Sequence, residues 1–189
     1  FDGDDILYTI ILGKKINKEK INGVVGTTMT NCALENYLEK ENIPFVRANV
    51  GDKFILKKMI DNNYNLGGET SGHIIMLEHS SSGDSIIAAL QFLYYSDILK
   101  ANKVNYLLEK YPQKITNLFI DKDLSENIIN ISIKEATEKF KKENLRLIIR
   151  KSGTENCIRI MVESKNIDFV NNISIDIKNF IENNLKTLS

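Results

Sequence analysis

Composition rules out several roles for this chain. Its two cysteines, Cys32 and Cys157, have no C-x-x-C spacing and no histidine cluster beside them. That argues against a disulfide framework and against a Cys/His zinc site, and makes a reducing, cytoplasmic compartment the default expectation. Charge is balanced, with 25 Lys+Arg against 25 Asp+Glu, so there is no overall field to gather nucleic acid or an anionic membrane surface. Any anion must be held by local geometry. No run of about 18 apolar residues could cross a bilayer, and the opening Phe1-Asp2-Gly3-Asp4-Asp5 is neither basic nor a signal-peptide core. Neither G-x-x-x-x-G-K-[ST] nor G-x-G-x-x-G occurs, so the standard nucleotide loops have no support and ATP is not an expected substrate. The first residue is not methionine, as expected of a piece of a longer or processed protein.

What is present is ordinary globular material: 189 residues, 42% hydrophobic, enough for one large domain or two small ones. Ile6, Leu7, Ile10 and Ile11 recur at helical spacing after acidic residues, and Gly13 before Lys14-Lys15 is a plausible stop. Clustered carboxylates such as Asp2, Asp4 and Asp5 suit a hard cation, but at the start of an amphipathic helix a capping role is the stronger reading. A short strand is expected at 23–26, a helix around Ala33, Leu34, Tyr37 and Leu38, a strand over 45–50, a helix over 52–62 and a strand near Asn65-Leu66. Such alternation favours βαβ units and a mainly parallel sheet, with ligands at the carboxyl ends of its strands. Two helices are expected next, over 84–100 and 104–111. The first is apolar around most of its circumference (Ile86, Ile87, Ala89, Leu90, Leu93, Tyr94) and is predicted to be buried on more than one side. After Pro112 the pattern turns strand-rich. Strands are predicted at 115–120, 145–150 and 157–163, a helix over 133–142, and a final helix with Ile167, Val170, Ile173, Ile177, Phe180 and Ile181 on one face.

Two loops carry chemistry. In Gly67-Gly68-Glu69-Thr70-Ser71-Gly72-His73, three glycines let the backbone turn sharply and approach a ligand. Glu69, Ser71 and His73 supply an acceptor pair, a hydroxyl and an imidazole, a set suited to sugar hydroxyls. The bland alternative is a polar hairpin turn. In Arg150-Lys151-Ser152-Gly153-Thr154-Glu155, with Arg159 on the following strand, backbone N–H groups, two hydroxyls and arginine forks could satisfy the oxygens of a phosphate. On composition alone, a hairpin with solvated basic residues is the commoner outcome.

In this order and with these flanks the two loops resemble the α-D-phosphohexomutase superfamily over essentially the whole chain. Val25-Gly26-Thr27-Thr28-Met29-Thr30-Asn31, Val50-Gly51-Asp52-Lys53, the stretch from Tyr64 to His73 and Ser82-Gly83-Asp84 are similar to its branch acting on glucosamine phosphates. The resemblance implies an α/β fold: a partial three-layer α/β/α domain with a mainly parallel mixed sheet over 1–111, then a small α+β domain with an antiparallel sheet over 112–189. These would be the third and fourth of four domains, with a hinge near Tyr111-Pro112-Gln113. It implies a reversible exchange of glucosamine 6-phosphate and glucosamine 1-phosphate through an enzyme phosphoserine and a bisphosphate, feeding UDP-N-acetylglucosamine and cell-wall precursors.

On that resemblance Glu69 and Ser71 bind the sugar, with His73 a lesser contact, while Arg150, Ser152, Gly153, Thr154 and Arg159 bind the phosphate. The phosphoserine and the Mg2+ ligands would lie in preceding domains, leaving no catalytic residue and no metal ligand here. The expected partners are a hexosamine phosphate and those domains, with no nucleic acid and no membrane. Two departures stand out. Asn156 replaces the proline usual after Ser-Gly-Thr-Glu, removing a rigid φ, and Asn49 stands where many relatives have a lysine, so that lysine's role is not carried over. Glucose or mannose phosphates, or a non-catalytic sugar-phosphate sensor, are the competing readings.

Overall fold

The computed structural model describes residues 1–121, 123–153 and 155–188. It forms two compact units, Phe1–Lys110 and Tyr111–Ser189.

The first unit opens with α1 (Gly3–Ile16), whose start is a capping box. The Asp2 carboxylate accepts from the Asp4 and Asp5 amides, and Asp5 in turn accepts from the Asp2 amide. This satisfies donors that a helix N-terminus otherwise leaves orphaned. Gly13 does not stop the helix. It sits within it because a Cβ there would lie 2.2 Å from the Tyr95 ring, so glycine is what allows α1 to pack closely on the helix bearing Tyr95.

Four strands follow: β1 (Val24–Thr27), β2 (Phe45–Ala48), β3 (Leu66–Gly68) and β4 (Ile74–Met76). The sheet order is β2-β1-β3-β4, with β1 parallel to both neighbours and β4 antiparallel to β3. β2 stops at Ala48, so Asn49 and Val50 belong to a loop and not to the strand. Successive residues of β1 serve opposite faces, as the two-residue pleat requires. Val24, Leu66, Ile74 and Met76 pack against α1, α2 (Cys32–Lys40) and α4 (Ser85–Ala101), whereas Val25, Ala48 and Ile75 pack against α3 (Asp52–Asn62). The result is a three-layer α/β/α arrangement around a mixed, mainly parallel sheet.

Two further expectations fail in this unit. α4 buries only Ala88, Tyr95, Ser96 and Leu99, while Ile86, Leu90, Leu93 and Tyr94 are 54–71% exposed. The helix meets α1 and the sheet along one side, and the apolar residues of its other side stay exposed. Residues 104–110 are not helical either. Their burial alternates every second residue from Val104 to Lys110, which is the period of an extended chain. Apolar residues at 104, 107, 108 and 111 also fit helical spacing, hence the misreading. Lys110, at the end of this segment, pairs with Asp2 and Asp5, each at 2.6 Å.

The second unit comprises β5 (Gln113–Phe119), α5 (Glu126–Phe140), β6 (Arg146–Lys151), β7 (Cys157–Glu163) and α6 (Ile167–Leu188). Its sheet is wholly antiparallel in the order β5-β7-β6. Ile158, Ile160 and Val162 of β7 join Ile129 and Ala136 of α5 and Val170, Ile173, Ile177 and Ile181 of α6 in one core. α5 starts seven residues earlier than expected, at a Ser125 hydroxyl that accepts from the Ile128 amide, and ends at Phe140. Ile167, expected on the buried face of the last helix, is its exposed first residue. Among the described residues, no helix is long and apolar enough to cross a membrane.

Candidate functional site

β1, β2 and β3 run parallel, so the loops that follow them leave the same edge of the sheet, where ligands of open α/β sheets bind. The loop after β3 holds Glu69, Ser71 and His73, and the structure brings all three together. Glu69 is buried, 8% exposed, at the base. Its Oε1 accepts from the Gly51 amide at 2.5 Å and its Oε2 from the Ser71 hydroxyl at 2.9 Å. Ser71 and His73 are exposed above it, with His73 Nδ1 3.3 Å from Ser71 Oγ and 3.7 Å from Glu69 Oε2. Gly72 turns the chain at φ +101°, a conformation that disfavours any side chain. A carboxylate offers about four acceptor directions; here two are used to lock the loop and to tie it to the loop after β2.

The loop after β1 is equally braced. Arg47 Nη1 donates to the Thr27 and Thr30 carbonyls at 2.8 and 2.7 Å, and its Nη2 reaches Glu35 at 2.6 Å. Sequence reasoning did not single out Arg47, and it read Asp4, whose carboxylate accepts from the Asn31 amide at 2.9 Å and from Thr70 Oγ1 at 3.2 Å, as part of the helix cap with Asp2 and Asp5. Arg47 carries no local signal. For Asp4 there was one: a capping box uses two carboxylates, and the opening cluster has three. Burial, opposed by the Asn31 and Thr70 hydrogen bonds, pushes the Asp4 carboxyl up to about 6.

In the second unit the antiparallel register places Arg150 of β6 directly opposite Arg159 of β7. Like charges in that position are destabilising unless something compensates. At the other end of the same strand pair, Arg146 faces Glu163 and is neutralised. Arg159 Nη2 donates to Glu155 at 2.7 Å, while its buried Nε has no hydrogen-bond partner among the described residues. Ser152 is buried; its amide donates to the Cys157 carbonyl and its hydroxyl accepts from the Glu155 amide. Gly153 has open space around it. Thr154, expected to bind phosphate, lies outside the described residues.

A separate open depression of about 690 Å³, lined in part by Asp121, Asp123, Glu182 and Lys186, has the wrong balance of charge for a sugar phosphate. Among the described residues, no three His, Cys, Asp or Glu side chains gather to hold a metal. The carboxylates of Asp2, Asp4 and Asp5 are engaged in capping, in the Asn31 and Thr70 bonds and with Lys110. They do not fit a Mg2+ site.

Residues 2–115 match the family described as phosphoglucomutase/phosphomannomutase, alpha/beta/alpha domain III, and residues 99–177 match the C-terminal domain of the same family. The chain belongs to the phosphoglucomutase/phosphomannomutase family. Among curated members, the phosphoglucosamine mutase of Idiomarina loihiensis is 40% identical over 96% of this chain and 42% of its own length. That of Thermodesulfovibrio yellowstonii is 43% identical over 87% of the chain and 38% of its own. The chain thus spans about two fifths of the curated relatives it matches. In fold it is similar to the Aspergillus fumigatus N-acetylphosphoglucosamine mutase solved with GlcNAc-6P and magnesium (TM-score 0.68, 18% identity, 95% of this chain and 46% of that one). Family membership and the two-unit architecture of α/β/α followed by an antiparallel α+β module therefore agree.

Proposed function

We propose that this chain is the recognition part of a phosphoglucosamine mutase, with residues 1–111 as its sugar-reading domain III and residues 112–189 as its phosphate-binding domain IV. Supporting this is the 40% identity to a curated phosphoglucosamine mutase across 96% of the chain. Glu69, held in place by Gly51 and Ser71, keeps about two acceptor directions for adjacent ring hydroxyls. Such a pair can be read whichever end of the sugar carries the reacting phosphate. Ser71 and His73 stand exposed beside it to complete the contact.

Arg150 and Arg159, with Ser152, Gly153 and Thr154, hold the phosphate that is not reacting. A dianion between two guanidinium forks gains charge-assisted hydrogen bonds from both. The phosphoserine and the Mg2+ that stabilises the transferring group are assigned to preceding domains. The complete enzyme would be a cytoplasmic, magnesium-dependent phosphoprotein serving peptidoglycan precursors, with a hexosamine phosphate as its ligand and neither nucleic acid nor membrane as partner.

A coupled assay of the complete enzyme on glucosamine, glucose and mannose phosphates tests the reading. The expected result is preference for the amino sugar by at least an order of magnitude in kcat/KM; preference for glucose or mannose phosphate would overturn it.

A further inference from the structure

Asp4 is 2% exposed, a rare state for a carboxylate with no cation directly on it. It sits in the first turn of α1 but takes no part in the capping box. Its Oδ2 accepts from the amide of Asn31, the residue that itself caps α2, and Thr70 Oγ1 lies 3.2 and 3.3 Å from its two oxygens. Beside it the Gly3 amide donates to the Thr70 carbonyl at 2.9 Å, and a Cβ on Gly3 would fall 1.8 Å from the Glu69 carbonyl oxygen. The start of α1 is therefore pressed against the backbone of the Glu69–His73 loop. Asp4 is the side chain that joins this contact to the loop after β1.

We propose that Asp4 is a positioning residue that clasps the Glu69–His73 loop and the Thr27–Asn31 loop to the start of α1, and that its charge state sets how firmly the first of these is held. The consequence for substrate rests on the reading of that loop as the sugar contact. The clasp itself is independent of that reading.

Water reaches the Asp4 carboxylate when the loop that covers it lifts. Burial holds its carboxyl at about 6 against an ordinary 3.8, with Asp2 pushing the same way and Asn31, Thr70 and Lys110 pulling back. A proton is therefore bound more tightly with the loop down. The closed loop is firmest when Asp4 is neutral and loosens as pH rises through about 6. Between pH 5.0 and 7.5 the opening equilibrium should rise about tenfold. Other charges facing this corner are Asp2 and Asp5 on α1, Lys110 after α4, and Glu69 and His73 on the loop itself. His73 is left in place by Asp4→Asn, so a pH dependence that survives in that variant would have a source other than Asp4.

The test is amide hydrogen exchange of Glu69 and Gly72 in the 189-residue chain without sugar phosphate, corrected for intrinsic rates. Both amides are hydrogen-bonded within the loop, to the His73 and Glu69 carbonyls. Protection is expected to be about tenfold greater at pH 5.0 than at 7.5 in the wild type and independent of pH in Asp4→Asn. In Thr70→Val, which keeps the Asn31 bond, Glu69 and Gly72 should lose protection by a factor of about five while the Asn31 amide keeps its own. Equal wild-type protection at the two pH values, a dependence that survives in Asp4→Asn, or unchanged loop protection in Thr70→Val would each overturn the proposal. Because no ligand is present, a clasp verified here would stand even if the chain failed to recognise glucosamine phosphates.

Discussion

At the scale of single residues, an opposed pair of cations and a buried anion present opposite problems. Arg150 and Arg159 stand directly opposite each other across β6 and β7, Arg159 pairing with Glu155, and an anion held by both would gain charge-assisted hydrogen bonds. Arg150→Ala in the complete enzyme should weaken glucosamine 6-phosphate binding by at least about 1.5 kcal/mol, the scale of a lost charge-assisted hydrogen bond. Isothermal titration would show this, and an unchanged Kd would remove Arg150 from the phosphate clamp. Asp4 is instead an anion kept where charge is costly. Its carboxyl is raised to about 6 from 3.8, so its favourable contribution is complete below the unfolded value and is lost as pH rises through the folded one. About two pKa units correspond to roughly 3 kcal/mol at neutral pH. Asp4→Asn removes that cost and forfeits part of two hydrogen bonds. Unfolding of the first unit, followed at β1 amides in urea, should therefore be harder in the variant by about 1–3 kcal/mol at pH 7.5, with the difference fading as pH falls from about 6 towards 3.8. A destabilised variant at pH 7.5 would contradict the buried-anion account.

At the scale of elements, Gly13 shows how a close helix contact is built from one missing methyl group. A Cβ there would lie 2.2–2.4 Å from three atoms of Tyr95, its Cβ among them, so rotating the ring cannot relieve the clash and α1 must move from α4. Gly13→Ala should cost about 1–3 kcal/mol by overpacking, although alanine is the better helix former; calorimetric melting of the chain would measure it. The sequence pattern marked Gly13 as a stop because a stop and a close approach use the same residue. Where periodicity was strong and local, as in α3, β7 and the alternation of strands and helices through the first 68 residues, the elements were legible. Where they failed, as at 104–110 and on the outer side of α4, the pattern was right about apolarity and silent about what lay opposite. The site divides in the same way. Glu69, Ser71 and His73 lie within five residues and could be read as a set. Arg47 and Asp4 act across the fold, the latter bonding residues 27 and 66 positions away, and beyond one carboxylate too many for a capping box nothing in their immediate neighbours reports those contacts.

At the scale of the whole molecule, the proposed function separates binding from chemistry. Positioning and electrostatic stabilisation dominate phosphoryl transfer, and on that proposal the clamp residues supply positioning alone. A mutase cycle also needs a group that gives a phosphoryl to the sugar and takes one back. The described carboxylates near the start of α1 are committed to capping, to Asn31 and Thr70, and to Lys110, and no metal cluster exists among the described residues. With a formal net charge of zero, the chain has no general attraction for phosphate, and the proposed function assigns its affinity to the two loops. The 189-residue chain mixed with glucosamine 1-phosphate should therefore produce no glucosamine 6-phosphate by phosphorus NMR, even with Mg2+ and a hexose bisphosphate added. Chemical-shift changes confined to the Glu69–His73 loop and to the strands bearing Arg150 and Arg159 would still report the sugar phosphate. Sustained turnover by this chain alone would mean that a phosphoryl donor lies among its own side chains and that the division of labour proposed here is wrong.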